Sequence, residues 1–177
     1  MDSATEEDKN YGTRNLEAGQ SAALRDQHGD HGGGVSTGEG IVRDLHNTLM
    51  AYREQYGAGR AVAAPQIGVQ KRMLYAYMDK SYVFVNPVLT FPDEDTYTLM
   101  DDCMSFPGLM VKVERHKRAD IAFLDEHFEP CTMHLEGDFS ELFQHEYDHL
   151  DGILATMRAV DNKSFYLGQM KCDFEKK

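Results

Sequence analysis

Cysteine is scarce in this chain. Three occur in 177 residues, Cys103, Cys131 and Cys172, an odd and sparse set that argues against a disulfide framework. Basic residues are short as well. Eighteen Lys and Arg stand against 30 Asp and Glu, for a formal net charge of −12. Such a chain repels polyanions, so DNA and anionic membrane are poor partners for it. No apolar run approaches the length of a membrane span. The opening MDSATEEDKNYGTRN is acidic and lacks the apolar core of a secretory signal. The expected address is cytoplasmic. The length fits one domain with a single sizeable core.

Large apolar residues are also thin over residues 1–38. This stretch is polar and ends in DQHGDHGGGVSTG, where glycines raise the entropy lost on ordering. It reads as a flexible or loosely docked arm, with His28 and His31 as solvated tail residues. Residues 39–177 read as the single folded domain. Ile41, Leu45, Leu49, Tyr52 and Tyr56 follow steps of four and three, which predicts a helix ended by Gly57 and capped by Ser36 or Thr37. Five short stretches rich in β-branched and aromatic residues follow, at 72–78, 82–91, 109–113, 119–125 and 130–136. The helical period returns in DFSELFQHEYDHLDGIL. Strands in a run between helices imply an α+β domain.

The second helix carries chemistry. On a wheel of about 100° per residue, Phe139, Phe143, Leu150 and Leu154 share the core face. Ser140, Glu141, Gln144, Asp148 and Asp151 fall on the polar side. His145 and His149 lie together at the edge of the core. Imidazoles four residues apart on a helix aim at one point, which suits a divalent metal. Glu146 is placed to take a proton from an attacking water, and Asp148 to orient a ligand ring. The bland alternative is an amphipathic helix with incidental histidines. A third metal ligand is needed, and the extended metzincin pattern fails because Ala155 stands where its third histidine belongs. Among the cysteines, Cys103 in MDDCMSFPGL is the most suggestive. Cys131 reads as a small buried hydrophobe, and Cys172 lies near the end of the chain.

Three segments, GRAVAAPQIG (59–68), DDCMSFPG (101–108) and QHEYDHLDG (144–152), resemble in order and spacing the three motifs of the peptide deformylases. Those run roughly G-x-G-x-A-A-x-Q, E-G-C-x-S and Q-H-E-x-x-H-L. The resemblance covers about residues 40–155. It implies short, mostly antiparallel sheets packed around a central helix that carries H-E-x-x-H. It implies hydrolysis of the formyl group from N-formylmethionine at the start of new polypeptides, with release of formate. It implies one divalent metal, Fe²⁺ in cells with Zn²⁺ or Ni²⁺ as substitutes. Cys103, His145 and His149 match the metal ligands and Glu146 the general acid/base. Gln66 and the Met104 backbone N–H match the oxyanion donors. Some members dock on the ribosome through a basic C-terminal helix, which makes the ribosome a candidate partner, although an ordinary closing helix is the simpler expectation for residues 156–177.

The chain departs from the pattern in places. Ala61 replaces a glycine of the first motif, and Asp101-Asp102 replaces Glu-Gly of the second. Asp101 is expected to pair with Arg115. Asp102 puts a carboxylate beside the metal-binding cysteine. Phe106, Leu142 and Ile67 are the apolar candidates for a methionine pocket. Two other readings compete with the deformylase: a homologue that binds metal or peptide with weak or no turnover, and a zincin-type endopeptidase.

Overall fold

Alternation along the strands sorts the apolar residues onto two faces. In the computed structural model, which describes residues 38–168, β2 (Met73–Tyr77) sends Leu74 and Ala76 to one side, and Met73 and Tyr75 to the other. β1 (Ala61–Ala63) divides in the same way, with Ala61 and Ala63 opposite Val62. Both strands belong to a five-stranded antiparallel sheet with β3 (Ser81–Thr90), β6 (Arg118–Leu124) and β7 (Pro130–Glu136), in the order β1-β2-β3-β6-β7. A second, three-stranded antiparallel sheet has the order β4-β5-β8, from β4 (Thr96–Asp102), β5 (Leu109–His116) and β8 (Phe165–Leu167).

Helix α1 (Gly38–Tyr56) covers one face of the larger sheet through Ile41, Leu45 and Leu49, the stripe its spacing predicts. It ends as expected at Gly57, whose φ of +65° suits glycine and whose N–H bonds to the Arg53 carbonyl. Helix α2 (Asp138–Leu150) packs against β1 and β7 of the larger sheet and against β5 of the smaller. Its Leu142 and Phe143 join Phe84, Ile121 and Leu135 in the other half of the core. The domain is α+β with a central helix carrying the histidines, and no helix among the described residues is long and apolar enough to cross a membrane.

The arm expected at 1–38, with His28, His31, Ser36 and Thr37, lies outside the described residues except for Gly38, as does Cys172. Three expectations need correction. Strands β1, β4 and β8 were not foreseen. β8 occupies 165–167, where a closing helix was expected; before it comes only a short 3-10 turn at Ala155–Arg158. Pro87 sits inside β3 at a register shift between Val85 and Val88, the irregular kind of place where a strand tolerates proline. The wheel also misjudged α2. Phe139 is 47% exposed, while Ser140, Gln144 and Asp148 are buried. A helix between two sheets has little solvent face, so its polar side is inside and hydrogen-bonded.

Candidate active site

The loop after β4 and the middle of α2 bring three donor atoms together. Cys103 follows the last residue of β4 and is buried; the Ser105 N–H points at its Sγ at 3.5 Å. One helical turn separates His145 from His149, and their rings meet edge to face with centroids 4.8 Å apart. His149 Nε2 lies 3.1 Å from His145 Nε2 and 3.2 Å from Cys103 Sγ. In a tetrahedral site with metal–ligand bonds of about 2.0–2.3 Å, ligand atoms stand roughly 3.3–3.8 Å apart. The donor triangle is therefore close to the size of a coordination face, and thiolate plus two imidazoles suits a borderline divalent ion. The residues fit a metal.

A buried charge chain holds this triangle. Asp101 Oδ1 lies 2.7 Å from His145 Nδ1, off the ring's N–H axis, and Asp101 Oδ2 accepts from Arg115 at 3.0 Å. Arg115 also donates to Asp148 at 2.6 Å, and Asp148 accepts from Arg158 at 2.7 Å. The Asp101–Arg115 pair is as expected. The role given to Asp148 is not: it holds two arginines, and Asp101 is the carboxylate beside the His145 ring. Burial opposes charge on Asp101, but His145 and Arg115 outweigh it and hold its carboxyl below the ordinary range. Burial likewise opposes charge on His145, yet Asp101 and Cys103 hold that ring well above the usual imidazole value. Burial and the neighbouring His145 push His149 down to about 4. Asp101 and Glu141 also lie near His145 as a second acidic group, but Arg115 and Arg60 already pair with them.

Glu146 is buried beside the donors, and its Oε2 has no hydrogen-bond partner among the described residues. Burial pushes its carboxyl up to about 7. Gln66 stands on a 3-10 turn (Ala64–Ile67) that Gly68 ends with φ +81°. Its Oε1 accepts from the Ala63 N–H at 2.8 Å, which leaves Nε2 to donate to Ser105 Oγ at 3.2 Å. The amide donor is thus tied to the cysteine loop. Met104 lines the same cavity as His145 and Glu146.

That cavity, about 50 Å³, is not the apolar pocket expected. Of the three candidates only Leu142 lines it; Phe106 packs in the core of the smaller sheet and Ile67 against the α1 cluster. Arg60, Asp102, Glu141 and Tyr52 line it instead. Sequence reasoning missed Arg60 and Glu141, which form a 3.0 Å ion pair. The signal available was the variable position of the first motif, filled here by arginine. Asp102 faces the cavity, and burial with the nearby Asp101 raises its carboxyl pKa. Ala61, buried in β1, reaches the same cavity.

The chain is similar to known proteins over most of its length. The profile of the family described as polypeptide deformylase matches residues 20–165. A peptide deformylase of Treponema pallidum is 35% identical over 114 residues, 63% of this chain and 70% of that one. One of Natranaerobius thermophilus is 34% identical over 123 residues, 68% and 78% of the two chains. The crystal structure of peptide deformylase from Thermus thermophilus superposes with a TM-score of 0.60 at 37% identity, over 70% of this chain and 74% of that one. A peptide deformylase from Synechococcus elongatus in complex with actinonin gives 0.63 at 26% identity, over 73% and 71%. With a profile spanning most of its length and relatives at this identity, the chain belongs to the polypeptide deformylase family.

Proposed function

We propose that the protein is a peptide deformylase: a metal-dependent hydrolase that removes the formyl group from N-formylmethionyl peptides and releases formate. Residues 39–177 would serve as its single catalytic domain. The observation that carries this reading is the convergence of Cys103 Sγ, His145 Nε2 and His149 Nε2 beside the buried Glu146.

Cys103, His145 and His149 would hold one divalent ion, with Fe²⁺ as the expected cellular metal and Zn²⁺ or Ni²⁺ as substitutes. When bound, the ion supplies the Lewis acidity that acidifies water and polarises the formyl oxygen. The remaining work falls to the protein. Glu146 takes the proton of the attacking water and later gives it to the leaving amine. A carboxyl pushed up to about 7 by burial is suited to move a proton both ways near neutrality. Gln66 Nε2 and the Met104 N–H meet the negative charge that grows on the formyl oxygen. Asp101, braced by Arg115, fixes the His145 ring so that Nε2 faces the ligand triangle. β1 is the edge strand of its sheet, so a peptide can lie along it as an added strand.

The test is formate release from formyl-Met-Ala-Ser by anaerobically purified protein loaded with Fe²⁺ or Ni²⁺. Turnover with one bound metal per chain is expected. A folded, metal-loaded protein that releases no formate would overturn the reading. Removal of metal by Cys103→Ala, with no cleavage of internal peptide bonds by the native protein, separates it from an endopeptidase. Nascent chains at the ribosome are the finer proposal. With a net charge of −12 the contact would run through the nascent chain, so co-sedimentation should need chain-bearing ribosomes and fail with empty ones.

A further inference from the structure

The two oxyanion donors proposed above belong to different elements. Gln66 stands on the 3-10 turn after β1, and Met104 on the turn after β4. For both to meet one formyl oxygen, the two turns must be held in register. Ser105 is the residue that touches both. Its hydroxyl accepts from Gln66 Nε2 at 3.2 Å, and its N–H points at Cys103 Sγ at 3.5 Å. The turn that carries Met104 and Ser105 is closed by the Phe106 N–H on the Cys103 carbonyl at 3.1 Å. The hydroxyl is therefore presented to Gln66 from a fixed backbone.

The Gln66 amide can face only one way. The Ala63 N–H can only donate, so the atom 2.8 Å from it is the amide oxygen. That leaves an amine with two N–H bonds. Ser105 takes one and leaves the other for the formyl oxygen. The last torsion of a glutamine side chain is broad, so an anchor at the oxygen alone would let the amine swing. The second anchor is the Ser105 hydroxyl. Ser105 is exposed, so its hydroxyl contributes little to the fold itself. We propose that Ser105 is a positioning residue: its hydroxyl sets the Gln66 amine beside the Met104 N–H before substrate arrives. The inference rests on the deformylase reading and adds a residue to its oxyanion site.

The experiment measures formate release from formyl-Met-Ala-Ser by the metal-loaded full chain, native and substituted. Loss of one neutral hydrogen bond should lower kcat of Ser105→Ala about three- to tenfold. KM, metal content and the urea midpoint should stay near their native values, because the contact matters only as charge grows on the formyl oxygen. Ser105→Thr keeps the hydroxyl oxygen and should restore kcat. In a Gln66→Ala background, Ser105→Ala should change kcat by less than about twofold, since the group it positions is gone. A fall smaller than about threefold in Ser105→Ala overturns the proposal, as does an equal fall with Gln66 replaced, or loss of the metal. If native protein yields no formate, the deformylase reading fails, and NMR of the Zn²⁺-loaded protein decides the tether separately. The Gln66 side-chain amine is assigned by its absence in Gln66→Ala. A heteronuclear NOE that shows it ordered in native protein and mobile in Ser105→Ala supports the tether; the same mobility in both overturns it.

Discussion

In the proposed mechanism Glu146 and Cys103 would do separable jobs, and single substitutions should pull them apart. Glu146→Gln keeps the size of the side chain and removes the proposed base. It should retain one metal per chain while kcat falls about 10²–10⁴-fold, as measured by metal analysis beside the formate assay. Cys103→Ala should lose the metal itself, because two imidazoles remain of a three-atom donor set. The placement of Cys103 beside His149 and of Gln66 beside the cysteine loop was legible from the sequence because each stands in a motif of fixed spacing. The partner of His145 was not. Asp148 lies next to His149 in sequence and drew the assignment, whereas Asp101 reaches the His145 ring from strand β4. Sequence proximity on a helix does not report what a neighbouring sheet delivers.

At the scale of elements, α2 is fastened on its polar side. The Gln144 side chain accepts from the His116 N–H at 2.9 Å and donates to the His116 carbonyl at 2.8 Å, and Ser140 Oγ donates to the same carbonyl at 2.9 Å. These bonds sew the helix to the end of β5. Asp148 does the same through Arg115 on that strand. Asp148→Ala would leave Arg115 buried with half its compensation, which should cost about 3–5 kcal/mol in a urea unfolding measurement. The same packing explains the misread wheel. Hydrophobic period finds a helix that has a wet side, and this helix has hardly one. β4 escaped notice for a related reason: TYTLMDD mixes polar and apolar residues, and pairing with β5 holds it in register along its whole length.

For the whole molecule, the metal and the acidic groups set the conditions of stability. The proposed ligands come from α2 and from the loop after β4, so binding an ion there would tie the helix to the smaller sheet. Stripping the metal with a chelator should lower the unfolding midpoint. An ion held at 100 times its dissociation constant contributes about 2.7 kcal/mol, which calorimetric scans with and without chelator would register. In the stripped protein, acid should weaken the fold through Asp101. Its folded-state pKa is depressed below the 3.8 reference, so its contribution is complete above that value and is lost as pH falls through the lower folded one. Urea midpoints measured from pH 6 to pH 3 should drop, and Asp101→Asn should flatten the lower part of that profile. The α+β class was readable from the order of helix, strands and helix. The division into two sheets was not, because strand pairing over long separations, such as β3 with β6, leaves no local mark.

The clasp between Gln144 and the His116 backbone also bears on motion. The two histidines and Glu146 sit on a stretch of α2 whose flanking residues are bonded to β5 and packed between sheets. Such a segment cannot fray by itself. Its amide protons should exchange with deuterium only when the whole domain opens, at the slowest rate in the molecule. The catalytic groups would then share the lifetime of the fold, and adaptation to substrate would fall to the cavity walls rather than to the helix.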